Sequence, residues 1–149
     1  MNRRAKSITI VMADDDLDDC LLVKEAFAEN GVDVDLRFVV DGEALMDYLY
    51  QRGEFADNAP FPSLILLDLN MPRKDGREAL REIKGDKQFR SIPVVILTTS
   101  KEREDIAYTY EIGANSFINK PSSFDDLVGI VRSILVYWFD VVELPSRGK

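Results

Sequence analysis

Histidine is absent from this chain of 149 residues. That excludes Ser-His-Asp and Cys-His catalysis and every His-ligated metal site. Cysteine occurs once, as Cys20, so no internal disulfide can form, and its plain reading is a small core side chain. No apolar run is long enough to span a membrane. The opening "MNRRAK" is basic, but the apolar run behind it, Ile8 to Ala13, is short and ends in acids. A signal peptide needs a longer apolar segment, so none is expected, and the cytoplasm is the expected location. Basic charge is also scarce: 19 Lys and Arg against 27 Asp and Glu give a net charge of −8, which argues against a nucleic-acid footprint. Neither an internal repeat nor a low-complexity segment is present. Chemistry must therefore come from carboxylates, hydroxyls, lysine or a hard metal ion.

What is present is an alternation. "ITIVMA" (Ile8–Ala13) is a short run rich in β-branched residues, and "DDCLLVKEAFAENG" follows with apolar residues three to four apart and Gly31 as a stop. "VDLRFVV" (Val34–Val40) predicts a second strand. "DGEALMDYLYQRG" predicts a helix with Ala44, Leu45, Tyr48 and Leu49 on one face. "SLILLD" and "IPVVILTTS" hold the third and fourth strands, and "SFINK" a short fifth. Helices are predicted in "GREALREIKGD", stopped by Gly85, in "KEREDIAYTYEIGA", ended by Gly113, and in "SFDDLVGIVRSILVYWF", with Ser123 as its N-cap. The loop from Arg52 to Ser63 reads as surface. Five strands alternating with five helices predict a single-domain α/β fold with a parallel sheet. The third and fourth strands are almost wholly apolar, as when helices cover both faces. The site is then expected at the carboxyl ends of the strands.

Those ends carry "ADDDLDD" after the first strand, Asp68 after the third, Thr98-Thr99-Ser100 after the fourth and Lys120-Pro121 after the fifth. Each has a plain alternative. The three acids could serve a helix dipole, Asp68 a turn, Thr98 a strand, and Lys120 the solvent. Brought to one edge, they instead make an oxygen-rich cluster suited to Mg²⁺, which relieves the repulsion between crowded carboxylates. With a phosphoryl group added, Asp68 can attack phosphorus to give an acyl phosphate, while Lys120 and the Thr98 hydroxyl neutralise its oxygens.

In this order and placement, the "DDD", "LLDLNMPRKDG", "VVILTTS" and "NKP" segments resemble the receiver domain of two-component response regulators, over about the whole chain. The resemblance implies a five-stranded flavodoxin-like sheet of order 2-1-3-4-5, Mg²⁺ dependence and phosphotransfer from a partner histidine kinase. It implies that Asp68 is the phosphoacceptor, and that Asp14 and Asp15 are the acidic pair, Asp15 binding metal directly. Asn70 would give the metal a backbone carbonyl, Thr98 and Phe117 would be the switch pair, and Lys120 would precede a cis peptide to Pro121. A third acid, Asp16, departs from the pattern, as does Phe117 where tyrosine is commoner. The protein would be a stoichiometric phosphoacceptor with self-phosphorylation and autodephosphorylation rather than an enzyme. "IPVVILTTS" and the tail "YWFDVVELP" look like stand-alone regulators that partner phytochrome-type histidine kinases, and no output domain is expected after the fifth helix.

Residues 1–136 are assigned to the receiver and 137–149 to a C-terminal extension. From Ile134 to Leu144 the chain reads "ILVYWFDVVEL", too apolar for a helix wetted on one side. It could fold back on its own domain. The preferred reading is a homodimer through the last helix and tail, with Trp138, Phe139, Val141 and Val142 against the second subunit. Other functions remain on the table. The chain could be a phosphate sink. A haloacid-dehalogenase-like phosphatase would place its Asp-x-Asp nucleophile on the first strand, whereas Asp68 is on the third and is followed two residues on by Asn70. A flavin module would need a phosphate loop where "DDDLDD" repels one.

Overall fold

The computed structural model describes residues 8–145; "MNRRAK" and the last four residues of the extension lie outside them. The strands are β1 (Thr9–Ala13), β2 (Asp35–Val39), β3 (Leu64–Leu67), β4 (Val94–Thr98) and β5 (Ser116–Asn119). The helices are α1 (Leu17–Glu29), α2 (Gly42–Tyr50), α3 (Gly76–Gly85), α4 (Arg103–Ile112) and α5 (Phe124–Val136). All strand pairs are parallel, in the order β2-β1-β3-β4-β5, as expected. One register row runs Ala13, Leu67, Ile96, Phe117 across four strands. It brings the residues just beyond those positions to a common edge.

Alternation of side chains explains why the central strands read as unbroken apolar runs. Val11, Ile65, Leu67 and Ile96 pack under α2 and α3 with Leu45, Leu80 and Ile83. Ile10, Leu64, Leu66 and Leu97 pack under α1 and α5 with Phe27, Val131 and Leu135. Every residue of β3 is buried, and each such side chain contributes about 1.5–3 kcal/mol relative to exposure. The outer strands β2 and β5 are only half-buried, which is why their sequences are more polar.

Helix starts follow their caps. Asp16, Asp41, Asp75 and Ser123 each accept a backbone N–H of the following turn, and Asp75 forms a reciprocal capping box with Glu78. Gly113 ends α4 at φ +131°, a backbone region that other residues avoid.

Two expectations need correction. The Lys120–Pro121 peptide is trans, since no described peptide bond is cis. Trans is the intrinsically favoured form by about 0.5–1 kcal/mol even before proline, and a backbone bond from Lys120 N–H to the Thr98 carbonyl (2.8 Å) already fixes the strand end. The last helix does not run regularly through Phe139. It stops at Val136 and widens into a π-helical turn, Tyr137–Val141, closed by Val142 N–H on the Tyr137 carbonyl (3.0 Å). Phe139 is 1% exposed within its own chain, so it cannot face a second subunit as it stands. The reason is spacing: Leu127, Val131, Leu135 and Phe139 form one four-residue stripe, all buried under the sheet face shared with α1. Trp138 is partly buried against the same cluster and Val142 is partly buried, whereas Tyr137 (52%) and Val141 (64%) are exposed.

Candidate functional site

β1 and β3 lie side by side and end level, so the next residue of each, Asp14 and Asp68, reaches the same point. Asp14 N–H bonds to the Val39 carbonyl and Asp68 N–H to the Ala13 carbonyl (both 3.0 Å), which extends the ladder through the site. Asp14 and Asp68 are buried and Asp15 is exposed, and a carboxylate oxygen of each lies within 4.8 Å of the others. Three hard oxygens without imidazole or thiolate suit a divalent cation of the Mg²⁺ or Mn²⁺ kind, with water completing its shell. The third acid has different work: Asp16 caps α1, accepting from Asp18 and Asp19 N–H at 3.0 and 3.2 Å.

Close backbone approach holds Asp68 in place. A β-carbon on Gly76 would overlap the Asp68 carbonyl oxygen, so only glycine lets α3 begin there. The loop between is tied down by Arg73, with a left-handed backbone (φ 63°) and an ion pair to the buried Asp41, and by Gly42 N–H on the Lys74 carbonyl (2.7 Å). Asn70 sits exposed in this loop, its side-chain oxygen 3.5 Å from Arg77 Nη2.

Lys120 arrives from β5 and donates to Asp14 Oδ2 (2.7 Å), Asp19 Oδ2 (2.7 Å) and Asp68 Oδ2 (3.2 Å). Asp68 Oδ1 accepts the Leu69 N–H (2.7 Å). Burial raises Asp14 to about 6, against hydrogen bonds from Lys120 and the Asp16 N–H that pull it down. Burial alone would lower Lys120, but its bonds to Asp14 and Asp19 more than reverse this, and the ammonium is held above its ordinary value. The two directions look opposed for partners in one ion pair. Sharing reconciles them: three carboxylates together keep the proton on Lys120, yet each receives only part of its charge. The ammonium stays charged, and the cluster remains negative overall.

Thr98 is buried at the end of β4, with its hydroxyl oxygen accepting Ser100 N–H (3.3 Å). Ser100 Oγ donates to Asp105 (2.6 Å), and Asp105 is clamped by Arg77 through two bonds of 2.8 Å. The Arg77 guanidinium and the Ser100 hydroxyl hold the Asp105 carboxyl below its ordinary value. Phe117 is half-buried, and its N–H donates to the Tyr110 hydroxyl of α4 (3.2 Å). The expected residues thus converge, Asp14, Asp15, Asp68 and Lys120 at one point, Thr98 just beyond on β4, and Phe117 one step back on β5. Asp19 and the Arg77–Asp105 clamp were missed. Asp19 carries a weak signal, since it falls in the first turn after the acidic run, but only the helix phase aims it at Lys120.

The model of the response regulator receiver domain family matches residues 10–132. Response regulator Rcp1 of Synechocystis is 42% identical over 137 residues, covering 92% of each chain. Its structure in an Mn²⁺-bound form superposes with a TM-score of 0.85 at 41% identity, over 93% of this chain and 99% of that one. The phosphorylated cyanobacterial phytochrome response regulator RcpA gives 0.87 at 43% identity, with the same coverage. A response regulator in red-light signalling of R. palustris gives 0.88 at 41%, again over 93% and 99%.

Proposed function

The chain belongs to the response regulator receiver family, and from that premise we propose that it takes a phosphoryl group on Asp68 from a partner histidine kinase and signals through protein contacts. The observation that carries this reading is the Asp68 carboxylate at the end of β3, with Asp14, Asp15 and Lys120 gathered around it. Asp14, Asp15 and Asp68, with the Asn70 carbonyl, would hold a divalent cation, Mg²⁺ in the cell. When bound it supplies positive charge to the phosphoryl oxygens and to the crowded carboxylates. An Asp68 oxygen attacks phosphorus in line as the P–N bond to the donor imidazole breaks. Lys120 gives the incoming phosphoryl oxygens a fixed positive charge. Thr98 offers a hydroxyl from a buried, strand-end position, and Phe117 is half-buried one step back on the neighbouring strand, so both can register the new charge. The protein is a stoichiometric phosphoacceptor that acts in the cytoplasm; no described helix is long and apolar enough to cross a membrane.

The relatives' link to phytochromes supports a phytochrome-type kinase as the phosphodonor. Val136, Tyr137 and Val141 leave an apolar ridge on α5 and the tail, which supports a homodimer there with Trp138 and Val142 at its margin. Phe139 stays in the core. Sedimentation of Val141→Asp checks this: the wild type is expected as a dimer and the variant as a monomer.

The main reading is tested by incubation with Mg²⁺ and a small acyl phosphate, followed by intact-mass and peptide analysis. One phosphoryl group on Asp68 is expected, and none on Asp68→Asn. Equal labelling of both proteins would overturn it.

A further inference from the structure

An ammonium has three N–H donors, and those of Lys120 are all used, on Asp14, Asp19 and Asp68. If Asp68 carries a phosphoryl group, as proposed above, the new oxygens can take a bond from Lys120 only when one of the three carboxylates gives one up. We infer that Asp19 is the carboxylate that gives way, a positioning residue that holds Lys120 in reserve and sets how strongly the site retains a phosphoryl group.

The three acceptors differ in what losing the ammonium would do to them. Asp14 is fully buried and also accepts Asp16 N–H (2.9 Å); water cannot replace the bond that Lys120 provides. Asp68 loses its negative charge when it carries the phosphoryl group, so its bond, the longest of the three at 3.2 Å, passes to that group, and any second donor to the phosphoryl oxygens must come from Asp14 or Asp19. Asp19 has a side chain 31% exposed, on the open first turn of α1, so water takes over its lone pairs at little cost. Lys120 does not depend on Asp19 for its place. Its backbone is pinned by the Thr98 carbonyl at 2.8 Å and its ammonium by Asp14. The Asp19 contact is therefore a competitor that phosphoryl binding must break, rather than a scaffold it needs.

The test uses the full chain with Mg²⁺ and beryllofluoride as the phosphoryl probe, and reads the dissociation constant of beryllofluoride. Asp19→Asn is expected to tighten binding by about fivefold, the scale of one partly exposed ion pair. Asp18→Asn removes the same charge one residue away, on an exposed side chain without contact to Lys120 among the bonds found there, and is expected to change binding by less than about twofold. Asp19→Glu restores a carboxylate within reach and is expected to return the constant close to the wild-type value. In the unmutated protein, the Asp19 side-chain carboxyl ¹³C signal is expected to move to a hydrated position when beryllofluoride binds. Weaker binding in Asp19→Asn, an equal shift in Asp18→Asn, or an Asp19 signal that stays fixed would each overturn the inference. A wild type that binds no beryllofluoride would overturn the phosphoacceptor reading beneath it, which separates the two failures.

Discussion

Two lysines stand at opposite ends of the same sheet, both partly buried. At the carboxyl edge, Lys120 meets three carboxylates and is held above its ordinary pKa. At the amino edge, Lys84 in the last turn of α3 meets only the carbonyl oxygens of Arg90 (3.0 Å) and Ile92 (2.7 Å), and burial pulls it down to about 8. Burial pushes both the same way; the partners decide the outcome. Carbonyl dipoles and the C-terminal end of a helix favour a cation but do not match the hydration it loses. Lys84 is a clip that closes the turn between α3 and β4. The carboxyl edge is different in kind, because its acids exceed what its one ammonium can neutralise. A fold built for stability alone would match them. The surplus negative charge is what a divalent cation would neutralise.

Removing Lys120 should break the comparison most. In Lys120→Met, Asp14 and Asp68 lose their countercharge, and breaking a buried pair from one side costs about 3–5 kcal/mol. Urea unfolding of the metal-free protein at pH 7 should show that loss, with part of it regained on adding Mg²⁺. An unchanged midpoint would mean the carboxyl edge is no more strained than the amino edge.

Removing one acid should act in the opposite direction. The folded pKa of Asp14, about 6, lies above the ordinary 3.8, so the native state binds the extra proton between those values. Stability therefore falls as pH rises through that window, and the full penalty stands above pH 6. Asp14→Asn lifts it, and the metal-free variant should be more stable than wild type at pH 7 by on the order of 2–3 kcal/mol. That gain should disappear below about pH 4. Paired urea titrations across pH check both the size and the sign, and the variant should also gain less from Mg²⁺ than the wild type does.

The carboxyl edge was legible in the sequence because its logic is topological. Once the apolar runs fixed five parallel strands, the residues that follow them had to meet, and Asp14, Asp68 and Lys120 do. The division of work among Asp14, Asp15 and Asp16 was not legible, since it turns on which residue has the extended backbone of an N-cap. Asp19 and the Arg77–Asp105 clamp depend on helix phase and on the separation of α3 from α4, neither of which a linear pattern carries. The tail misled in a more instructive way. So many apolar residues stand together there that the four-residue stripe ending in Phe139 was hidden among neighbours that are exposed.

The smallest effect should come from Lys84, and its sign distinguishes the two ends. Its folded pKa of about 8 lies below the ordinary 10.5, so between these values the unfolded chain holds a proton that the native state has released. Stability then rises with pH across that window, opposite in slope to Asp14 in its own. Lys84→Met keeps the apolar stem that packs near Gly113 but cannot donate to Arg90 and Ile92. Near pH 7 the loss of those bonds and the relief from burying a charge should largely cancel. As pH rises from 8 to 10.5, the wild type should gain on the variant by about 1–2 kcal/mol, allowing for solvent at the partly exposed ammonium. The quantity to read is the difference between the two unfolding curves, which removes tyrosines and other groups common to both proteins. A flat difference would mean that Lys84 keeps its charge as Lys120 does, and carbonyl partners would then suffice where three carboxylates now look necessary.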